Sequence, residues 1–177
     1  YFAASRDGLD WEELNDGKPV LESDMGTTGL RDPFILRSPE GDKFYLIATD
    51  LCIAKNGNWS DAQTKGSQAI MVWESTDLVN WTKQRMMTIS AGIEAGCTWA
   101  PEIFYDETTG EYMVFWASKV KTDNYGKQRL YYCKTRDFYT FTEPKVWIDE
   151  SHSAIDSTVV RDVDGTYYRF TKNESKT

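Results

Sequence analysis

Short apolar and aromatic runs, broken by polar turns, dominate the chain, and helical periodicity is weak throughout. The best helical candidate, around Ser60 to Lys65, is at most one turn. The runs repeat. One unit occurs three times, as Asp32-Pro-Phe-Ile-Leu-Arg-Ser38, Ala100-Pro-Glu-Ile-Phe-Tyr-Asp106 and Asp156-Ser-Thr-Val-Val-Arg-Asp162. Each leads through a polar turn containing glycine into an aromatic strand, turn and strand together spanning Glu40 to Thr49, Thr109 to Ala117 and Val163 to Phe170. A short apolar strand, a glycine turn and a second strand predict a β-hairpin each time.

A second unit lies between the first ones: Ser5-Arg-Asp-Gly-Leu-Asp-Trp11, Ser75-Thr-Asp-Leu-Val-Asn-Trp81 and Thr135-Arg-Asp-Phe-Tyr-Thr-Phe141. Each follows a strand-like run and places an aromatic four residues after an aspartate, which predicts an Asx-type turn closed by an aromatic plug. Two hairpins in a period of about 60 residues make one four-stranded antiparallel propeller blade. The chain then holds an outer hairpin (1 to about 21), two complete blades (about 27–82 and 98–146) and the first hairpin of another (154–171). Propellers close with roughly four to eight blades. The expectation is therefore an all-β fold with about three blades present, residues 1–177 forming the N-terminal and central part of one propeller domain with both ends truncated. A plain β-sandwich built of similar hairpins is the competing architecture.

Composition narrows the partners. Lys+Arg 20 against Asp+Glu 28 gives a net charge of −8, which repels phosphate and argues against nucleic acid or an anionic membrane as partner. No run of about 18 apolar residues exists to make a membrane-spanning helix, and Tyr1 to Asp7 does not read as a signal peptide. Three scattered cysteines and one histidine offer no disulfide framework, zinc site or Ser-His-Asp triad. Nucleotide-binding glycine motifs are missing as well. Aromatics reach 14%, a share that serves either blade cores or the flat faces on which sugars stack.

The first strand of a propeller blade lines the central axis, so Asp32, Ala100 and Asp156, which open those strands, converge on one mouth. Two carboxylates from different blades in one pocket suit general acid–base chemistry; each aspartate alone would equally serve as a turn or cap residue. Pro33 fixes the backbone after Asp32 and removes a donor.

Together Arg31-Asp-Pro-Phe, Thr98-Trp-Ala-Pro-Glu102 and Ala154-Ile-Asp-Ser157, in that order, resemble three successive signatures of glycoside hydrolase family 43. The resemblance spans essentially the whole chain. It implies a five-bladed β-propeller and an inverting hydrolase of plant polysaccharide side chains or oligosaccharides, an α-L-arabinofuranosidase or β-xylosidase, with an arabinose- or xylose-containing glycan as partner. It casts Asp32 as general base and Asp156 as the carboxylate that tunes and orients the acid. Arg31, Asp50, Trp99, Ala100 and Ile155 would line the sugar subsite, with Trp99 covering the ring's C–H face. The resemblance requires no cofactor and leaves room for a structural calcium at the propeller centre. Glu102 reads as a supporting or structural residue. The family's general acid, a Glu in a Glu-Gly-Pro-like motif, has no counterpart here, and Glu174 in Lys172-Asn-Glu-Ser175 has the wrong neighbours. The expectation is that this chain supplies only the base side.

Three other readings compete. An invertase/fructanase-type propeller also carries Arg-Asp-Pro, but its Asn-Asp-Pro and Glu-Cys-Pro motifs are absent. A sialidase-type propeller is hinted at by Ser5 to Trp11, where the glycine comes one place early. A non-catalytic carbohydrate-binding or structural propeller fragment is the third. His152 reads as a loop residue, the three sequons (Asn58, Asn80, Asn173) are of a kind that arises often by chance, and the polar loop from Asn56 to Lys65 with Trp59 forms either a cleft rim or a plain connection. No compartment is legible.

Overall fold

Turn chemistry sets the architecture. In the computed structural model, which describes residues 1–176, all three hairpin turns are made by glycines in the left-handed region, Gly41, Gly110 and Gly165 (φ 74°, 66° and 89°). They join β3 (Leu30–Arg37) to β4 (Phe44–Asp50), β7 (Trp99–Asp106) to β8 (Glu111–Ser118), and β11 (Ala154–Arg161) to β12 (Tyr167–Asn173). The first two hairpins are extended by β5 (Ala69–Ser75) with β6 (Arg85–Thr88), and by β9 (Arg129–Thr135) with β10 (Lys145–Ile148). The result is two antiparallel four-stranded sheets ordered β3-β4-β5-β6 and β7-β8-β9-β10, plus the β11-β12 pair and a short pair of β1 (Ala3–Ala4) with β2 (Glu12–Glu13). The chain is all-β with two complete propeller blades, and among the described residues the sheets do not close into a ring.

The complete blades run further than the sequence pattern implies, because their outermost strands β6 and β10 follow the Asp turns rather than precede them. Those turns form as expected. Asp77 Oδ1 accepts from the N–H groups of Val79 and Asn80 (2.9 and 2.7 Å), and Asp137 Oδ1 accepts from Tyr139 and Thr140 (both 2.8 Å). The indoles of Trp11 and Trp81 donate back to the carbonyls of Gly8 and Leu78 (3.3 and 3.2 Å). Only Trp81 packs as the expected plug, against the cluster of Leu46, Ala48, Met71 and Trp73; Trp11 stays exposed (64%), and the third turn departs in another way. The buried ring there is Phe138, directly after the aspartate, while Phe141 is only half-buried. Instead of the expected +4 position, Phe138 occupies the left-handed slot (φ 56°) that Gly8 and Leu78 fill in the other two turns, and from there it reaches the neighbouring blade.

The core is three layers between successive sheets. Tyr45, Ile47, Ile70 and Val72 of the first blade meet Ile103, Tyr112, Val114, Trp116 and Phe138 of the second. Leu46, Ala48, Met71 and Trp73, on the other face of the first blade, pack against Phe2, Leu21 and Leu30. Ala117, Leu130 and Ile148 of the second blade meet Ala154 and Ile155, with Trp99 and Trp147 alongside. Inner strands buried on both faces explain why β4, β5 and β8 read as continuous apolar runs. Between β4 and β5 the chain forms two short helices, α1 (Ile53–Asn56) and α2 (Trp59–Thr64), longer than the single turn expected. Asn58 starts α2 by accepting the Asp61 N–H at 2.9 Å, a side-chain cap that sets helix ends without needing helical periodicity.

Candidate active site

Each inner strand carries one extra residue near its start. The pairing register slips between Arg31 and Phe34, between Trp99 and Glu102, and between Ile155 and Ser157, leaving Asp32, Ala100 and Asp156 in equivalent β-bulges. All three have left-handed backbones, with φ of 46°, 48° and 49°. Aspartate tolerates that conformation through local hydrogen bonding; for alanine it costs roughly 1 kcal/mol. Pro33 and Pro101 follow the first two bulges, where the missing N–H costs no ladder bond. A bulge re-aims side chains out of the sheet's alternation, and three in equivalent places turn three blades toward one opening.

Two adjoining cavities share Asp32, Ala100 and Asp156 as their common wall. The outer one, about 200 Å³, is also lined by Arg31, Trp59, Trp99, Ile155 and Glu174. The inner one, about 330 Å³, adds Phe34, Glu102 and Thr158. Another cavity, about 470 Å³, lies between the N-terminal segment and β3–β4, contains neither aspartate, and is mainly apolar. The structure thus brings together Arg31, Asp32, Trp99, Ala100, Ile155 and Asp156.

Asp50 is the exception. The family resemblance places it in the subsite, but its side chain is buried (2% exposed) on the opposite face of β4, where Oδ1 accepts from the N–H and hydroxyl of Thr27 at 2.8 and 2.7 Å. Strand alternation is the reason, because adjacent residues point to opposite faces. Thr49 is the one that turns toward the mouth. Fully buried, it receives the Ala100 N–H on Oγ1 at 2.9 Å and donates to Asp32 Oδ2 at 3.1 Å. A threonine inside an apolar strand gives no signal of this.

Trp59 closes the outer rim. Its ring lies 5.2 Å from the Arg31 guanidinium and 6.2 Å from the Trp99 ring, edge to face at 85°. Half of its surface stays exposed (51%). Burial raises the Asp156 carboxyl above its ordinary range; Lys172, 3.7 Å from Oδ2, opposes the rise, while the charges of Asp32 and Glu174 add to it. Glu102 is likewise raised, first by burial and then by Asp156, with the Thr158 hydroxyl opposing. Glu174 stands at the mouth with its carboxylate on Lys172 at 2.6 Å. His152 lines neither cavity. Among the described residues no group of three or more His, Cys, Asp or Glu is gathered closely enough to hold a metal ion.

These features match known proteins. The family model described as "Probable glycosyl hydrolase domain", related to glycoside hydrolase family 43, matches residues 1–177. An alpha-L-arabinofuranosidase of Bifidobacterium longum subsp. longum is 45% identical over 95% of this chain, which spans 17% of that relative. Among solved structures, a thermostable family-43 glycoside hydrolase superposes with a TM-score of 0.60 at 20% identity, covering 82% of this chain and 42% of its own. An endo-arabinase from Bacteroides thetaiotaomicron superposes at 0.58 and 21% identity, over 80% and 44%. A β-xylosidase/α-arabinofuranosidase from a compost metagenome, solved with xylotriose in a calcium-free form, gives 0.57 at 20% identity, over 79% and 41%. The chain spans less than half of each of these proteins. With the family model matching it from end to end, this chain belongs to the glycosyl hydrolase domain family related to glycoside hydrolase family 43.

Proposed function

We propose that this chain carries the base side of an inverting glycoside hydrolase that removes α-L-arabinofuranosyl units from plant glycans. The observation that supports it most is the pair of bulged carboxylates, Asp32 and Asp156, on one cavity wall beside the aromatic Trp99. In this reading Asp32 takes a proton from water as the water attacks the anomeric carbon on the face opposite the leaving oxygen. Oδ2 of Asp32 is already engaged by Thr49, which leaves Oδ1 for that water. Asp156 orients the protonated acid and, as a nearby negative charge, favours the acid's neutral form. Trp99 covers the sugar's C–H surface.

An inverting pair needs roughly 6.5–9.5 Å between base and acid to admit the water. The acid is assigned to a residue outside the described segment, because Glu174 is taken up by Lys172 and Glu102 lies in the inner cavity. The arabinofuranosyl preference, rather than xylosyl, rests on the name of the 45% identical relative. The test is hydrolysis of aryl α-L-arabinofuranoside and aryl β-D-xyloside by the intact natural polypeptide, with the first-formed anomer read by proton NMR. Release of arabinose as the inverted anomer supports the reading. No release of either sugar by folded protein, or release with retention, overturns it.

A further inference from the structure

The three bulges expose a position that motif reading does not reach. In each blade one residue of the second strand stands opposite the residue before the bulge: Thr49 opposite Arg31, Ala117 opposite Trp99, and Lys172 opposite Ile155. What fills it follows what the bulge carries. Where the bulge is Asp32, the partner is a hydroxyl bonded to that carboxylate at 3.1 Å. Where the bulge is Asp156, the partner is an ammonium 3.7 Å from it. Where the bulge is Ala100, with no group to hold, the partner is Ala117.

We infer that this cross-strand position is a positioning slot, in which Thr49 fixes the general base Asp32 and Lys172 fixes Asp156; the inference rests on the glycosidase reading above. The two occupants suit different tasks. Thr49 accepts the Ala100 N–H, so its single hydroxyl hydrogen is directed to Asp32 Oδ2. One carboxylate oxygen is thereby pinned without a counter-charge that would weaken it as a base. The same hydroxyl ties the first blade to the bulge of the second, so the base is held against the neighbouring wall of the cavity. Lys172 instead supplies charge, on an exposed side chain that also reaches Glu174 at 2.6 Å. Neither residue contacts the reacting atoms; both act through the aspartates.

The test is a crossed pair of substitutions in the intact natural polypeptide, read as kcat and KM on an aryl α-L-arabinofuranoside. Thr49→Val keeps the branched shape and loses the hydroxyl; Thr49→Ser keeps the hydroxyl and loses the methyl. Thr49→Val is expected to lower kcat by about 10- to 100-fold with KM within about threefold, and Thr49→Ser to recover most of that loss. A purely packing role gives the reverse order, with valine the better of the two, and overturns the inference. Lys172 is exposed, so its variants report without risk to folding: Lys172→Met should lower kcat at least fivefold and Lys172→Arg restore it. Retention of full kcat by Lys172→Met overturns the slot. If the unsubstituted protein cleaves no glycoside, the glycosidase reading itself fails and takes the inference with it; if it is active and the crossed pattern is absent, only the slot fails.

Discussion

Phe138 ties the two complete blades together, and removing its ring should cost more stability than any surface change. The side chain is fully buried, stacked 4.2 Å from Tyr45 of the first blade and 5.0 Å from Tyr112 of the second, with Phe141 at 6.4 Å. Phe138→Ala forfeits the burial of the ring and leaves a cavity that three aromatics cannot collapse into, a loss of about 3–5 kcal/mol. In a chain of this size each kcal/mol moves the midpoint by about 2–4 °C, so the thermal midpoint should fall by roughly 6–20 °C. The backbone supplies an internal control. At φ 56° an alanine is strained by about 1 kcal/mol while glycine is not, which roughly offsets glycine's greater unfolded-state entropy. Phe138→Gly should therefore be no less stable than Phe138→Ala, against the usual order in strands. Circular-dichroism melts of the three proteins decide it. A loss below about 1 kcal/mol for Phe138→Ala would refute the inter-blade role, and alanine clearly outranking glycine would refute the backbone account.

That residue also shows where sequence reading ends. The blades are legible because their turns carry their own chemistry, glycine in each hairpin and Ser/Thr-x-Asp before each outer strand. Which aromatic of Asp137-Phe-Tyr-Thr-Phe141 plugs the core is decided by a neighbouring sheet, which no local pattern encodes. The two catalytic candidates were legible through repetition, since Asp32 and Asp156 open equivalent strands. The bulge that aims them was not: Asp-Pro, Ala-Pro and Asp-Ser share no bulge-specific residue, and Ala100 is a poor choice for a left-handed backbone. Asp50 and Thr49 exchanged roles for the same kind of reason. The eye goes to the carboxylate, but the alternation of β4 turns its neighbour to the mouth.

Acid should weaken the fold through the turn aspartates. Backbone N–H donors hold Asp77 and Asp137 below the ordinary carboxylate range, and the Thr109 hydroxyl and Lys134 hold Asp106 at about 2. A depressed folded value means the stabilisation is present above the unfolded value near 4 and is lost as pH falls through the folded one. Asp156 and Glu102, whose values are raised, act in the opposite sense, contributing only at low pH and losing that contribution as pH rises through their folded values. Thermal melts between about pH 2 and 7 should show the midpoint dropping below about pH 4, and less steeply in Asp137→Asn; an unchanged slope in that variant would count against the turn. Trp59→Ala should raise KM for an arabino-oligosaccharide by roughly 3- to 10-fold with kcat within about twofold, the scale of one lost aromatic face. An unchanged KM would make the α1–α2 loop a plain connection.

The base assignment is tested most directly by kcat for Asp32→Asn in the intact natural polypeptide, a substitution that keeps the shape and the Thr49 hydrogen bond while removing the basic oxygen. The expected result is a kcat lower by about 10²- to 10⁴-fold with KM little changed. A kcat within about tenfold of the unsubstituted protein would contradict the assignment of Asp32 as general base.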